Sequence, residues 1–507
     1  MKKLKPIMFV GTGSDVGKSV VNAAFCRIFL QDGYAPAPFK AQNMSLNSYA
    51  TKENLEIGRA QAVQAEACGI ECSVDMNPVL LKPTNSKTSQ VILNGKPAGN
   101  KSAMDYFNKS NRDELFVEAV AAFDRLSSNY NPIVLEGAGS ISEVNLWDKD
   151  IVNMKMAQSA GAATYLIADI DKGGVFASVY GSVMLLPKEQ RELIKGVIIN
   201  KFRGDIRLFE DGKRIMKELT GVPVVGVIPY FRDIFVEQED SVVLDSIKKG
   251  DGESKIKIAV VLLKSMSNFT DFNILERVPQ VNLFYAVNPS ELKDADIVII
   301  PGSKNTIADL TYLRSKGFVQ AIQLHHKEGK PLYGICGGYQ MMGDWIYDPN
   351  HIEGAVESMP GLGILPISTT IEGGKTTRQC SFIFNNYVVE REELADVDRD
   401  REENRATAIS GSGYEIHAGI THTSRPLCTL DNGNKDGYFL NERCWGSYIH
   451  GIFDNRAVIE QILSCVENKE FEIEDYNQMK ERNYNLLADL VRESVDMEYI
   501  YGSLGVE

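Results

Sequence analysis

Short apolar runs alternate with helix-like stretches from the start of the chain. Pro6–Val10 reads as a buried strand, followed by the glycine-rich segment Gly11–Ser19 and an amphipathic helix through about Leu30. Further strands are expected at Ala37–Lys40, Pro132–Glu136, Ala163–Asp169, Gly196–Asn200 and Pro223–Ile228. Most are followed by glycine or polar residues and then a helical pattern, a rhythm that predicts βαβ units around a mainly parallel sheet.

The segment Lys248–Lys255 is charged, contains glycine and lacks apolar residues, so it is the expected linker. A second α/β rhythm follows, with strands at Ile256–Leu262, Asn282–Val287, Ala295–Ile300 and Pro331–Ile335. Pro360–Thr429 is rich in Gly, Thr and Ser and reads as strands and loops; a last strand around Cys444–Ile449 leads into His450. The expected organisation is an α/β domain over 1–247, a second over 255–457 and a helical C-terminal extension over 458–507. A chain of 507 residues is too long for one hydrophobic core, which agrees.

Composition narrows the classes. A hydrophobic content of 44% and a charged content of 24% belong to an ordinary globular protein. The net charge of -14 argues against a nucleic-acid partner, which calls for a basic face. The basic, then apolar start MKKLKPIMFVGTGSD has too short an apolar run for a signal peptide, and no stretch approaches the length of a membrane span. A cytoplasmic protein with no membrane partner is expected. The eight cysteines form no CxxC pair; Cys68 and Cys72, four apart, are expected on one helix face as buried thiols rather than metal ligands.

Candidate chemistry begins at Gly11-Thr12-Gly13-Ser14-Asp15-Val16-Gly17-Lys18-Ser19, between an expected strand and an expected helix. Glycines let such a loop curl so that its N–H groups converge on phosphate oxygens. Lys18 would reach the terminal phosphates and the Ser19 hydroxyl would ligate Mg²⁺. Thr12 stands where the usual GxxxxGK[ST] pattern has its first glycine, and Gly11 comes one residue earlier. This spacing resembles the dethiobiotin-synthetase-like branch of P-loop proteins. Glu136 ends a buried strand, the place where an acid holds Mg²⁺ or its waters. Asp169, Asp171 and Lys172 end another, and Lys40 is a further candidate for binding phosphate or a substrate carboxylate.

In the second half, Gly334-Ile335-Cys336-Gly337-Gly338 joins a short strand to a helix, the pattern of a nucleophile elbow. The helix start favours a thiolate, and adjacent backbone N–H groups could form an oxyanion hole. Of the six histidines, His325 and His326 are expected on a helix, His351 in a loop, and His417 and His422 among strands. His450 directly follows the last strand and is the expected base.

Cys336 in its elbow with a distant C-terminal histidine resembles the class I glutamine amidotransferases. Most of these carry a His-x-Glu pair, whereas the residue two after His450 is Ile452. That departure is the pattern of the cobyrinate-type branch. Phe39–Ser48 (FKAQNMSLNS), Asp171–Ser178 (DKGGVFAS), Pro301–Thr306 (PGSKNT) and Gly413–Gly419 (GYEIHAG) extend the resemblance over nearly the whole chain. It implies a P-loop NTPase-like domain that binds ATP and a corrinoid, followed by a class I glutamine amidotransferase domain. The implied reaction is ATP- and glutamine-dependent amidation of the b, d, e and g side-chain carboxylates of adenosylcobyrinic acid a,c-diamide. Ammonia released at Cys336 would displace phosphate from an acyl phosphate after passing between the domains. The cobalt arrives inside its macrocycle, so no histidine is assigned to it. Two alternatives stay open: the related a,c-diamide synthase, and a P-loop regulatory ATPase with an inactive amidotransferase-like domain.

Overall fold

The computed structural model describes residues 3–84, 88–102, 109–237, 255–385, 409–467 and 469–505. The chain forms two compact units, Met1–Asp240 with Asn477–Glu507, and Ser241–Tyr476. The expected linker Lys248–Lys255 lies outside the described residues except for Lys255.

In the first unit, β1 (Ile7–Gly11), β2 (Ala37–Phe39), β3 (Ile133–Glu136), β4 (Ala163–Asp169), β5 (Ile194–Phe202) and β6 (Val224–Pro229) form one sheet in the order β6-β5-β4-β1-β3-β2. Every adjacent pair is parallel. Both faces are covered, which is why these strands read as unbroken apolar runs. Met8, Val10, Leu135 and Leu166 point into one core, while Phe9, Val134, Tyr165 and Ile167 point into the other. Helix α1 (Lys18–Gln31) follows β1 and supplies Phe25, Ile28 and Phe29 to the second core.

After β2 the chain leaves the sheet. The strands Gln42–Met44, Val79–Pro83, Thr88–Leu93 and Lys96–Ser102 form a small separate sheet, and α2 (Arg59–Ala67) returns to pack on α1. Val79, Leu81 and Val91 from two of these strands build a small core of their own, in runs too short to be read as strands from sequence. Helix α2 ends before Cys68, which caps it, and Cys72 lies in the following loop, so the two thiols do not share a helix face. Both are buried, as expected.

The helical stretch expected as one extension over 458–507 divides. The helix Arg456–Ser464 belongs to the second unit, and residues from Asn477 onward belong to the first. There Tyr484, Leu487, Val491, Ile500 and Leu504 complete the core on the α1 face of the sheet.

The second unit contains β7 (Ile256–Val261), β8 (Val281–Ala286), β9 (Ile297–Ile300), β10 (Leu332–Ile335), β11 (Ser368–Phe384), β12 (Ser410–Thr421), β13 (Tyr438–Asn441), β14 (Cys444–Ser447) and β15 (Ile449–His450). Its main sheet runs β8-β7-β9-β10-β14-β13, parallel except for β13. The long antiparallel hairpin β11–β12 heads a second sheet, and β15 pairs with its β12 strand through Tyr414 and Glu415. One chain segment, β14–β15, thus crosses from one sheet to the other at Tyr448 and delivers His450.

A buried ion pair anchors α2. The Arg59 guanidinium donates from Nε at 2.6 Å and from a terminal nitrogen at 2.8 Å to the two oxygens of Glu237, and both side chains are buried. Removing one partner strands the other charge, so Glu237→Ala should lower the stability of this unit by about 3–5 kcal/mol. Urea unfolding of the full chain checks this; a loss under about 1 kcal/mol would show that the pair is dispensable.

Candidate nucleotide and glutaminase sites

The loop after β1 has the geometry its residues call for. Asp15 and Gly17 both adopt positive φ, 56° and 95°. At Gly17 a Cβ would also run into the Asn200 amide, so glycine is required there twice over. Thr12 continues the β1 edge, its N–H donating to Ile167 O at 3.1 Å. Gly13 follows it and Val16 is buried beneath the loop. From the end of β5, Asn200 donates to Val16 O at 2.9 Å and Lys201 to Asp15 O at 2.5 Å. Lys201 also pairs with Asp169 at 2.8 Å, which draws that acid toward the loop's outer side. Asp171 is exposed and pairs with Arg203.

Lys18 arches back, Nζ donating at 2.9 Å to both Gly13 O and Gly139 O. Ser19 Oγ donates to Glu136 Oε1 at 2.8 Å, and Lys40 Nζ reaches the same oxygen at 2.8 Å. The other oxygen, Oε2, accepts from Gln64 Nε2 at 2.6 Å. Glu136 is 1% exposed. Burial pushes its pKa up, but the Lys40 charge and the hydrogen bonds from Lys40, Gln64 and Ser19 outweigh burial and hold the carboxyl below its usual value. It is therefore an anion at neutral pH.

Among the described residues no group of three or more His, Cys, Asp or Glu forms a self-sufficient metal cage. One carboxylate and one hydroxyl beside a phosphate loop suit Mg²⁺, which takes oxygen ligands and keeps waters and substrate phosphates. The buried Gln64 Oε1 has no hydrogen-bond partner among the described residues. Spacing did not single out Gln64. Its signal was two glutamines, Gln61 and Gln64, on an otherwise small and apolar helix stripe.

In the second unit, β10 turns into α3 (Gly337–Met342, the short helix after the strand) at Cys336, whose φ of 50° and ψ of -108° are strained for a side-chain-bearing residue. The turn is pinned by Cys336 N–H donating to Ser447 O at 2.8 Å. Gly338 packs directly beneath the Ile300–Pro301 backbone, where a Cβ would collide with Ile300 O. Gln340 accepts from Thr306 Oγ1 at 3.0 Å and donates to the Tyr448 hydroxyl at 3.2 Å. His417 stacks on that Tyr448 ring at 3.8 Å.

His450 is 1% exposed and lies close enough to Cys336 for the two to influence one another, while Cys336 Sγ donates to Ile416 O at 3.7 Å. On its far side Nδ1 lies 2.7 Å from Asp271 Oδ2, and Gly451 N–H donates to Asp271 Oδ1 at 2.9 Å. Burial disfavours the imidazolium, but the Asp271 carboxylate and Cys336 outweigh it and raise His450 to about 10. His417 borders the site through Tyr448, whereas His325, His326 and His351 lie elsewhere in the unit. His325 is buried on the helix Phe318–Lys327 against Pro331 O, with His326 beside it, and His351 is exposed in a turn. Sequence reasoning left the acid facing His450 unnamed. It sits 179 residues away, in Phe269–Phe272 (FTDF), an acid between two phenylalanines shortly after β7.

A family model described as the CobQ/CobB/MinD/ParA nucleotide binding domain matches residues 7–242, and one described as the CobB/CobQ-like glutamine amidotransferase domain matches 257–458. The fold and the two sites thus define a glutamine-dependent, ATP-using ligase. A Parabacteroides distasonis protein named cobyric acid synthase is 58% identical over 99% of both chains. Proteins of the same name from Bacteroides fragilis (56% identical, 99% of this chain and 98% of theirs) and Salmonella agona (44%, 98% and 97%) are also similar to it. The chain belongs to the cobyric acid synthase family.

The elbow geometry generates a direct test. Gly338→Ala should cost about 1–3 kcal/mol or more by forcing α3 away from β9. Differential scanning calorimetry together with Cys336 alkylation would check it. An unchanged melting temperature and alkylation rate would refute the tight approach.

Proposed function

We propose that the first unit, Met1–Asp240 with Asn477–Glu507, uses ATP to activate the b, d, e and g side-chain carboxylates of adenosylcobyrinic acid a,c-diamide. The second, Ser241–Tyr476, supplies ammonia from glutamine. The observation that carries the reading is Cys336, held in a strained elbow close to a buried histidine, in one chain with a phosphate loop. The corrinoid acceptor rests on similarity along the full length to proteins named cobyric acid synthase. The cytoplasm is the expected compartment; no helix among the described residues is long and apolar enough to cross a membrane.

A carboxylate is a poor electrophile. In this reading the backbone N–H groups of Gly13, Asp15, Val16 and Gly17, with Gly11 and Thr12 setting the loop's entry, cradle the nucleotide phosphates, and Lys18 leaves its carbonyl partners to follow the transferred charge. Ser19 and Glu136 would hold Mg²⁺. When bound, the ion neutralises charge on the phosphate oxygens. Lys40, released from Glu136, orients the acceptor carboxylate or a phosphate. The acceptor oxygen takes the γ-phosphoryl group and ADP leaves. Ammonia then adds to the acyl phosphate carbon, and phosphate departs to give the amide.

Cys336→Ser should abolish glutamine-dependent amidation while turnover with free ammonia continues, and Lys18→Ala should remove both. Mass spectrometry of the corrinoid counts the events, because each amidation replaces OH by NH₂. Product arrested at the a,c-diamide would reject the synthase reading. ATP hydrolysis indifferent to glutamine and corrinoid would favour a regulatory ATPase instead.

A further inference from the structure

Ile452 stands where most class I glutamine amidotransferases place an acid, and it is fully buried next to Phe453 in the hydrophobic core. An isoleucine offers the imidazole no hydrogen-bond acceptor, so the group that orients His450 comes from another element. We propose that Asp271 is the positioning residue for the glutamine half-reaction, orienting His450 from the 3-10 turn Phe269–Phe272. This rests on the reading of Cys336 as the glutaminase nucleophile.

Both oxygens of Asp271 are committed. Oδ2 faces His450 Nδ1 at 2.7 Å and Oδ1 accepts from Gly451 N–H at 2.9 Å, so two consecutive residues are clamped by one carboxylate. With its proton fixed on Nδ1, the imidazole leaves Nε2 toward Cys336. The acid's own segment is held at several points. Phe272 packs on Phe453 with ring centroids 6.2 Å apart, and Ser267 N–H donates to Gly302 O at 3.0 Å. The charged and titratable groups around the pair are Cys336 and the Tyr414 ring on the His450 side, and Tyr285 with Glu276 behind Asp271.

The chemistry needs this orientation twice. The proton shared by Cys336 Sγ and His450 stays on Nε2 as the sulfur attacks the amide carbon; the C–N bond breaks as Nε2 gives that proton to the leaving ammonia. Water then attacks the thioester and loses its proton to Nε2, the C–S bond breaks, and glutamate leaves. The Asp271 carboxylate stabilises the imidazolium formed in each half and does not itself take the proton. An asparagine could accept only one of the two hydrogen bonds, and its NH₂ would confront the other donor.

The test compares Asp271→Asn and Asp271→Ala in the full-length protein, measuring kcat and KM for glutamine and ammonia-dependent amidation as a folding control. The expected result is a fall in glutamine kcat of about 10²–10⁴-fold with KM within a few-fold of native. Loss of the carboxylate removes what favours the imidazolium, so the alkaline limb of kcat should move down from near pH 10. A kcat within two-fold of native in a variant with intact ammonia-dependent turnover overturns the proposal, provided Cys336→Ser is inactive with glutamine. An active Cys336→Ser would instead overturn the glutaminase reading beneath it. Should the variants fail to fold, ¹⁵N NMR of the native protein decides: an Nδ1 of His450 protonated through pH 9 supports the role of Asp271, and an unprotonated Nδ1 overturns it.

Discussion

A carboxylate removed from water stays ionised only if the protein supplies what water would have supplied. Both units are organised around that requirement. Glu136 is enclosed by α1, β2, β3 and α2, and each of the first, second and last of these sends a donor to it: Ser19, Lys40 and Gln64. Asp271 is enclosed where a short turn meets the segment after β14, and it is satisfied by the imidazole of His450 and the N–H of Gly451. Moving any of these elements would leave a buried charge short of a partner. The local backbone is therefore fixed more tightly than apolar packing alone would fix it.

The two carboxylates differ in their partners. Those of Glu136 include a lysine and a glutamine, long side chains able to swing aside while the acid stays in place. Those of Asp271 are an imidazole and a main-chain amide, neither of which can retreat. A site that must exchange nucleotide and metal on every cycle needs replaceable neighbours; one that shuttles a proton over a fixed distance needs immobile ones.

Much of this was legible in the sequence. The parallel strands of both units announce themselves as apolar runs because both sheet faces are covered, and the loop at Gly11–Ser19 and the elbow at Cys336 carry glycines where the backbone must curl or be approached closely. Boundaries shifted by at most two residues at strand ends, as at Ile194–Phe202, where the strand runs two residues beyond the expected Gly196–Asn200 at both ends. What stayed hidden was long-range. The small sheet after Phe39 is built from short segments that pair only with one another, and their brief apolar runs do not mark them as strands. The neighbours of Glu136 and His450 come from elements far away in sequence, so no spacing rule could name Gln64 or Asp271. The C-terminal helices carry a clear amphipathic pattern, but a pattern does not say which core it faces.

That last point bears on how the molecule is made. The first unit is discontinuous: its sheet ends with β6, and the residues that cover one face of it, among them Tyr484, Leu487 and Leu504, arrive only after the entire second unit. On the ribosome the phosphate loop and most of its strands emerge first, yet Phe25, Tyr165 and Val225 wait for their cover until residues 477–504 have been translated. The amidotransferase unit, continuous from Ser241 to Tyr476, can close before then. The order of completion is thus the reverse of the order of synthesis, and the nascent nucleotide-binding unit carries an open apolar face for roughly half of the time the ribosome spends on the chain.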